Sequence, residues 1–128
     1  MKIEHIAFNV ADPVSLAQWY VDHLGFRIKR SMPHAPFAHF LADQTDAVMI
    51  ELYHNPNAPV PDYTQQHPLI LHLAMQTNDL ETDRQRLLDA GATAVGPVDN
   101  LDDGDVLAML RDPGGLAIQL VKRREPMV

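Results

Sequence analysis

The chain repeats itself. Ile3-Glu4-His5-Ile6-Ala7-Phe8 returns as Ile70-Leu71-His72-Leu73-Ala74-Met75, and Val48-Met49-Ile50-Glu51-Leu52 returns as Leu116-Ala117-Ile118-Gln119-Leu120. His5 and His72 stand 67 positions apart, Asp12 and Asp79 also 67, and Glu51 and Gln119 68. Offsets that agree within one residue over half a chain mark a duplication with one small insertion. Whatever architecture the first half adopts, the second must be able to adopt as well.

Within each half the apolar pattern switches between the strand period of two and the helical period of 3.6. A strand is expected over residues 2–10. Asp12-Pro13 then has the form of an N-cap followed by proline at the first helical position. Val14, Ala17, Val21 and Leu24 follow at helical spacing, widened by Leu16 and Tyr20, and Gly25 fits the terminator. Strands are expected near 26–31, 37–42 and 47–54. The second half replays this order. It has a strand over 69–76, a cap at Asn78-Asp79, a helix to about Ala90 ended by Gly91, and strands near 93–98, 105–111 and 116–122. Asp112-Pro113-Gly114-Gly115 supplies the turn before the last strand. The chain therefore reads as α+β, with two βαβββ modules forming a paired, curved mixed sheet. One domain is expected over 1–128, with module 1 at about 1–55 and module 2 at about 69–125. Pro56, Pro59, Pro61 and Pro68 mark a semi-rigid linker over 55–68, which Tyr63 and His67 could also make a loop over the site.

Composition bounds the partners. A formal net charge of −7 disfavours nucleic acid, and the one basic cluster, Lys122-Arg123-Arg124, reads as a solvated strand end. The chain has no cysteine, which excludes disulfides and thiolate metal sites and fits a reducing compartment. It lacks the run of about 18 apolar residues that a membrane span needs. Met1-Lys2-Ile3-Glu4-His5 enters a patterned strand directly and leaves no room for a signal peptide. A cytoplasmic protein with neither membrane nor nucleic-acid partner is the expectation.

His5, Glu51, His72 and Gln119 interrupt otherwise apolar strands at repeat-equivalent positions. Alternation places His5 with Ile3 and Ala7 and turns Ile6, Phe8 and Val10 onto the helix. His72 shares a face with Ile70 and Ala74, Glu51 with Met49 and Tyr53, and Gln119 with Ala117 and Val121. Burying such groups is costly unless they share a partner, and a divalent metal suits two imidazoles, a carboxylate and an amide oxygen. Two other arrangements remain open: hydrogen-bonded pairs, His5–Glu51 and His72–Gln119, or a metal-free binding pocket. His23, His34, His54 and His67 have no repeat partner and read as surface. His39, alternating with Phe37 and Leu41, is the one that strand geometry could aim inward. Trp19 reads as core or interface.

The βαβββ repeat, the histidines early in the first and fifth strands, Glu51 in the fourth strand and the Asp-Pro-Gly-Gly turn together resemble the vicinal oxygen chelate superfamily. This is the group of glyoxalases, bleomycin-resistance proteins and extradiol dioxygenases. The resemblance implies a glyoxalase-like fold with one divalent ion (Fe, Ni, Zn, Co or Mn) on His5, Glu51, His72 and Gln119. Many metal-dependent members place Glu where this chain has Gln119, so only Glu51 would offset the ion's charge. The implied activity is that of a small lyase or isomerase, in which the metal holds vicinal oxygens of a small-molecule substrate and stabilises an enolate or oxyanion. Glu51 would be the catalytic base. Two further activities are implied for other members: Fe(II) extradiol-type dioxygenation, and metal-independent sequestration of a drug or metabolite. Chains of this length in the group commonly form homodimers.

Overall fold

The computed structural model describes Met1–Met127. Its elements run β1 (His5–Asn9), α1 (Pro13–Leu24), β2 (Arg27–Ser31), β3 (His39–Ala42), β4 (Met49–Tyr53), β5 (Leu73–Gln76), α2 (Leu80–Asp89), β6 (Thr93–Asn100), β7 (Val106–Arg111) and β8 (Ala117–Lys122). This is βαβββ twice, an α+β architecture. Two compact units result, Met1–Pro61 and Asp62 to the end of the chain. Each holds a four-stranded mixed sheet, ordered β1-β4-β3-β2 in the first and β5-β8-β7-β6 in the second. The first strand of each module pairs in parallel with its last, and the remaining pairs are antiparallel.

The helices start where capping chemistry places them. The Asp12 carboxylate accepts a hydrogen bond from the Ser15 amide at 3.0 Å, and the Asp79 carboxylate accepts one from the Thr82 amide at 3.2 Å. Each satisfies an amide that the first helical turn cannot. Helix α1 ends at Gly25, whose φ of 71° is left-handed and sends its amide back to the Tyr20 carbonyl. Helix α1 packs on β2, β3 and β4, and α2 on β7 and β8. The first core gathers Phe8, Val10, Leu16, Ala17, Tyr20, Leu41 and Leu52 under α1, and the second gathers Leu80, Leu87, Ala108, Leu110, Ile118 and Leu120 under α2. Trp19 is buried as well.

Two expectations need correction. Ile6 lies on the helix side of β1 but is 43% exposed. Strand β1 is the sheet's edge, and the cover over it begins at Phe8, which is buried, so Ile6 near the start of the strand lies beyond it. The fifth strand begins at Leu73 rather than 69, because the Ile70 amide bonds to the His67 carbonyl at 2.9 Å and closes a turn there.

The Pro-rich stretch is tied down within each unit. Asn9 accepts from the Asn55 amide at 2.8 Å and donates to the Asn55 and Ala58 carbonyls at 3.2 and 3.0 Å. In the second unit the Arg111 guanidinium donates to the carbonyls of Tyr63, Gln66 and Gly115 at 2.6, 2.7 and 2.9 Å. One planar cation thereby fixes the 63–66 turn and the turn before β8. Gly115 has a φ of +88°, and a Cβ there would lie 2.6 Å from the Thr64 methyl, so only glycine fits.

Asp12→Ala should lower unfolding stability by about 1 kcal/mol in a urea titration at pH 7, with a similar loss for Asp79→Ala. Hydrogen bonds from Ser15 hold the Asp12 carboxyl below its ordinary value of 3.8. A carboxyl depressed in the folded state stabilises the fold above the unfolded value and loses that contribution as the pH falls through the folded one. The deficit of Asp12→Ala should therefore shrink as the pH is taken below 3.8.

Candidate functional site

The open face of the first sheet is set by register. Ala7 lies beside Glu51 in the parallel β1–β4 pair, Phe40 lies beside Glu51 in the β3–β4 pair, and Arg30 lies beside Phe40 in the β2–β3 pair. Residues facing each other across a ladder share a side of the sheet. Arg30, Phe40, Glu51 and Ala7 therefore form one row, opposite the side where Leu41, Ile50 and Leu52 are buried under the helix. His5, two residues before Ala7, joins this face.

His5 and Glu51 meet there. The His5 Nε2 lies 3.4 Å from the Glu51 Oε2, with side-chain exposures of 36% and 18%. The other ring nitrogen, Nδ1, hydrogen-bonds the Glu4 carboxylate. The edge of the His5 ring stands against Phe40, centroids 5.5 Å apart and planes at 87°. The Glu4 hydrogen bond raises the His5 pKa above its ordinary 6.5 against an opposing desolvation, with further help from the charges of Glu4 and Glu51. A groove of about 410 Å³ opens over this face, lined by Glu4, His5, Lys29, Arg30, Phe40 and Met49.

The second unit is less complete. Gln119 lies mid-strand in β8 between Ala74 and Met109, the register equivalents of Ala7 and Phe40. His72, however, precedes the first ladder pair of β5, Leu73 with Ile118, whereas His5 is paired within β1 to Met49. Its Nδ1 donates to the Pro68 carbonyl at 2.9 Å, and among the described residues no hydrogen bond joins it to Gln119. The reason is local: the turn that shortens β5 takes His72 out of the strand.

A divalent ion bound at about 2.0–2.2 Å by imidazole nitrogen and carboxylate oxygen brings those atoms to roughly 3–3.5 Å of each other. The His5–Glu51 separation has that spacing. A carboxylate on the second ring nitrogen is one of the common orienting partners of a metal-bound histidine, as is a backbone carbonyl. His39 and His54 also place Nδ1 on a backbone oxygen, of Phe37 and Val10, so the carbonyl partner of His72 is less distinctive than the carboxylate partner of His5. Within neither unit, among the described residues, do three His, Asp or Glu side chains group closely enough to hold an ion. The first unit thus offers two donors of fitting chemistry and spacing, to be completed by others.

Phe40, Arg30 and Glu4 were not singled out from the sequence. Phe40 was legible as the alternate of His39 and Leu41, which face the helix; His39 is buried there, away from Glu51. Arg30 was not legible, since its face depends on an irregularity in β2. Two residues of the basic cluster are tied to Asp105, whose carboxylate pairs with the Arg123 guanidinium and accepts the Arg124 amide at 2.9 Å. No helix among the described residues is long and apolar enough to cross a membrane.

Residues 2–120 match the family model described as the Glyoxalase/Bleomycin resistance protein/Dioxygenase superfamily. Among solved structures, the antibiotic-binding protein TnmS3 from Streptomyces sp. CB03234 is similar with a TM-score of 0.72 and 23% identity, covering 95% of each chain. A glyoxalase/bleomycin resistance protein from the same strain is similar at 0.65 and 24%, over 93% of this chain and 98% of that one. A superfamily member from Sphaerobacter thermophilus DSM 20745 is similar at 0.73 and 16%, over 96% and 98%. At these identities the likeness establishes a glyoxalase-like fold. No curated protein matches the chain.

In the metal-free protein, an NMR titration should place the His5 imidazole above 6.5. Glu4→Gln should move it back towards that value.

Proposed function

Because the chain belongs to the glyoxalase, bleomycin resistance protein and dioxygenase superfamily, we propose that it binds a small molecule with adjacent oxygens at the His5–Glu51 pair through a divalent metal, acting on it as a lyase or isomerase. The observation that carries this reading is the pair itself: an imidazole nitrogen and a carboxylate oxygen 3.4 Å apart, with the imidazole's other nitrogen held by Glu4. His72 and Gln119 are the repeat equivalents and the proposed further ligands. When bound, the metal would supply Lewis-acid stabilisation of an enolate or oxyanion.

The chain's own residues do the rest. Glu4 holds the His5 ring by Nδ1 and leaves Nε2 towards Glu51. Glu51, the less exposed of the two carboxylates, is the proposed base for a substrate proton. Because both carboxylates favour protonated His5, a proton competes with metal for its ring, and affinity should fall as the medium turns acid. A homodimer in the cytoplasm belongs to the same reading.

A second reading has its own support. The groove presents Phe40 and Met49 beside the polar pair and would hold an organic ligand without metal. TnmS3, of similar fold, is an antibiotic-binding protein. On this reading the protein sequesters a small molecule and turns nothing over.

Metal bound to the untagged protein, measured by mass spectrometry, separates the two. The first reading expects stoichiometric metal that His5→Ala and His72→Ala lose, with Glu51→Ala losing metal and turnover together. Iron as the bound ion would direct the chemistry towards oxygen. Full turnover by metal-free protein would overturn the first reading, and chelator-resistant ligand binding would establish the second.

A further inference from the structure

Strand β2 is interrupted in a way that changes what it displays. Ile28 lies beside Leu41 and Arg30 beside Phe40, so two steps along β2 answer one step along β3. Lys29 is the extra residue of a β-bulge. In an unbroken strand, residues 28 and 30 share a face. The bulge turns them to opposite faces: Ile28 sits with Leu41 on the helix side, and Arg30 sits with Phe40 on the side of His5 and Glu51.

Arg30 is also the cation of β2 that nothing neutralises. The Arg27 guanidinium binds one oxygen of Asp46 at 2.7 Å, and the Lys29 ammonium lies 3.4 Å from the other. Among the described residues Arg30 has no side-chain hydrogen bond or ion pair, and it lines the groove. An unpaired guanidinium facing a groove, in a chain of net charge −7, is where an anion finds a planar two-donor partner. Phe40 stands between it and Glu51. Two strand spacings of about 4.8 Å separate β2 from β4, so the cation and the His5–Glu51 pair flank the ring across roughly 10 Å of sheet.

We infer that Arg30, turned onto the site face by the Lys29 bulge, anchors an anionic group at the far end of the ligand, whose planar or apolar body lies over Phe40 and whose oxygens reach His5 and Glu51. The inference rests on the reading that the His5–Glu51 pair receives the ligand's adjacent oxygens. It makes the ligand class an organic carboxylate or phosphate ester with a polar oxygen pair at its other end. The second unit shows why this is particular to the first. There the irregularity of β6 spans Ala94 to Val98 against Leu110 to Ala108, four steps against two, and keeps the faces in phase. The residues between are Val95, Gly96 and Pro97, and no cation stands beside Met109.

Dihydrocaffeate (a catechol carrying a propionate arm) and its neutral amide test this by calorimetric titration of the full chain as purified. Wild-type protein should bind the carboxylate at least about tenfold more tightly than the amide. Arg30→Gln should remove that preference, and Arg27→Gln should retain it. Equal wild-type binding of the two probes, or a preference that survives Arg30→Gln, would overturn the anchor while leaving the oxygen-binding site intact. Binding of neither probe would overturn that site and the anchor with it. Arg30 is exposed on an edge strand, so the variant should melt as wild type does. Should it fail to fold, the wild-type comparison of carboxylate with amide decides alone.

Discussion

The parallel pairing of β1 with β4 is the contact on which the first unit depends. Strands that run the same way cannot be joined by a tight turn, so the chain must leave β1, cross as helix α1 and return through two further strands. That crossover covers one side of the sheet and leaves the other open. The register then decides the chemistry: with Ala7 beside Glu51, His5 falls diagonally across from the carboxylate on the open side. A slip of β4 by one residue would send Glu51 under the helix beside Leu41 and turn both Ile50 and Leu52 into the open. Leu52 is fully buried, and exposing it alone would cost about 1.5–3 kcal/mol. The core thus enforces the register, and the register assembles the site.

The electrostatics of that face explain what it can recruit. His5 lies between two carboxylates, one on each ring nitrogen. Its exposure keeps those contacts weak as sources of stability, since water screens them. Weak intramolecular pairing is what a recruiting site requires, because a cation or a ligand can replace it at little cost. By contrast, Asp46 is committed to two cations on β2, and Asp105 to Arg123 and the tail. The face therefore holds two carboxylates about His5 on the β1–β4 side and one unanswered guanidinium on β2, with the Phe40 ring between them.

The element order was legible because it is a matter of period and punctuation. Asp12-Pro13 and Gly25 bracket α1 where capping chemistry puts them, and Asp79 does the same for α2. His5 and Glu51 were legible because a polar residue inside an apolar strand is conspicuous. The miss at Ile6 arose because alternation states which side a residue takes, not how far the covering helix extends. The miss at 69–72 arose because a strand period also fits a turn when proline precedes it. Arg30 escaped for a deeper reason: which residue of β2 faces the side of Glu51 is a property of register, and a single bulged residue resets every face that follows it.

The duplicated halves differ in the same way. Both carry an irregularity in the strand after the helix, but one residue was added in β2 and two in the corresponding part of β6. An odd insertion exchanges the faces of a strand, while an even one preserves them. The first sheet thereby acquired a cation across from its carboxylate and histidine. The second has Gln119 for Glu51 and Met109 for Phe40, with His72 outside its strand, and carries the charges of that face on Arg111 and Asp99 at other register positions. Changes of a single residue in register, rather than replacement of the core, are enough to make two copies of one module present their charges at different places on the same face.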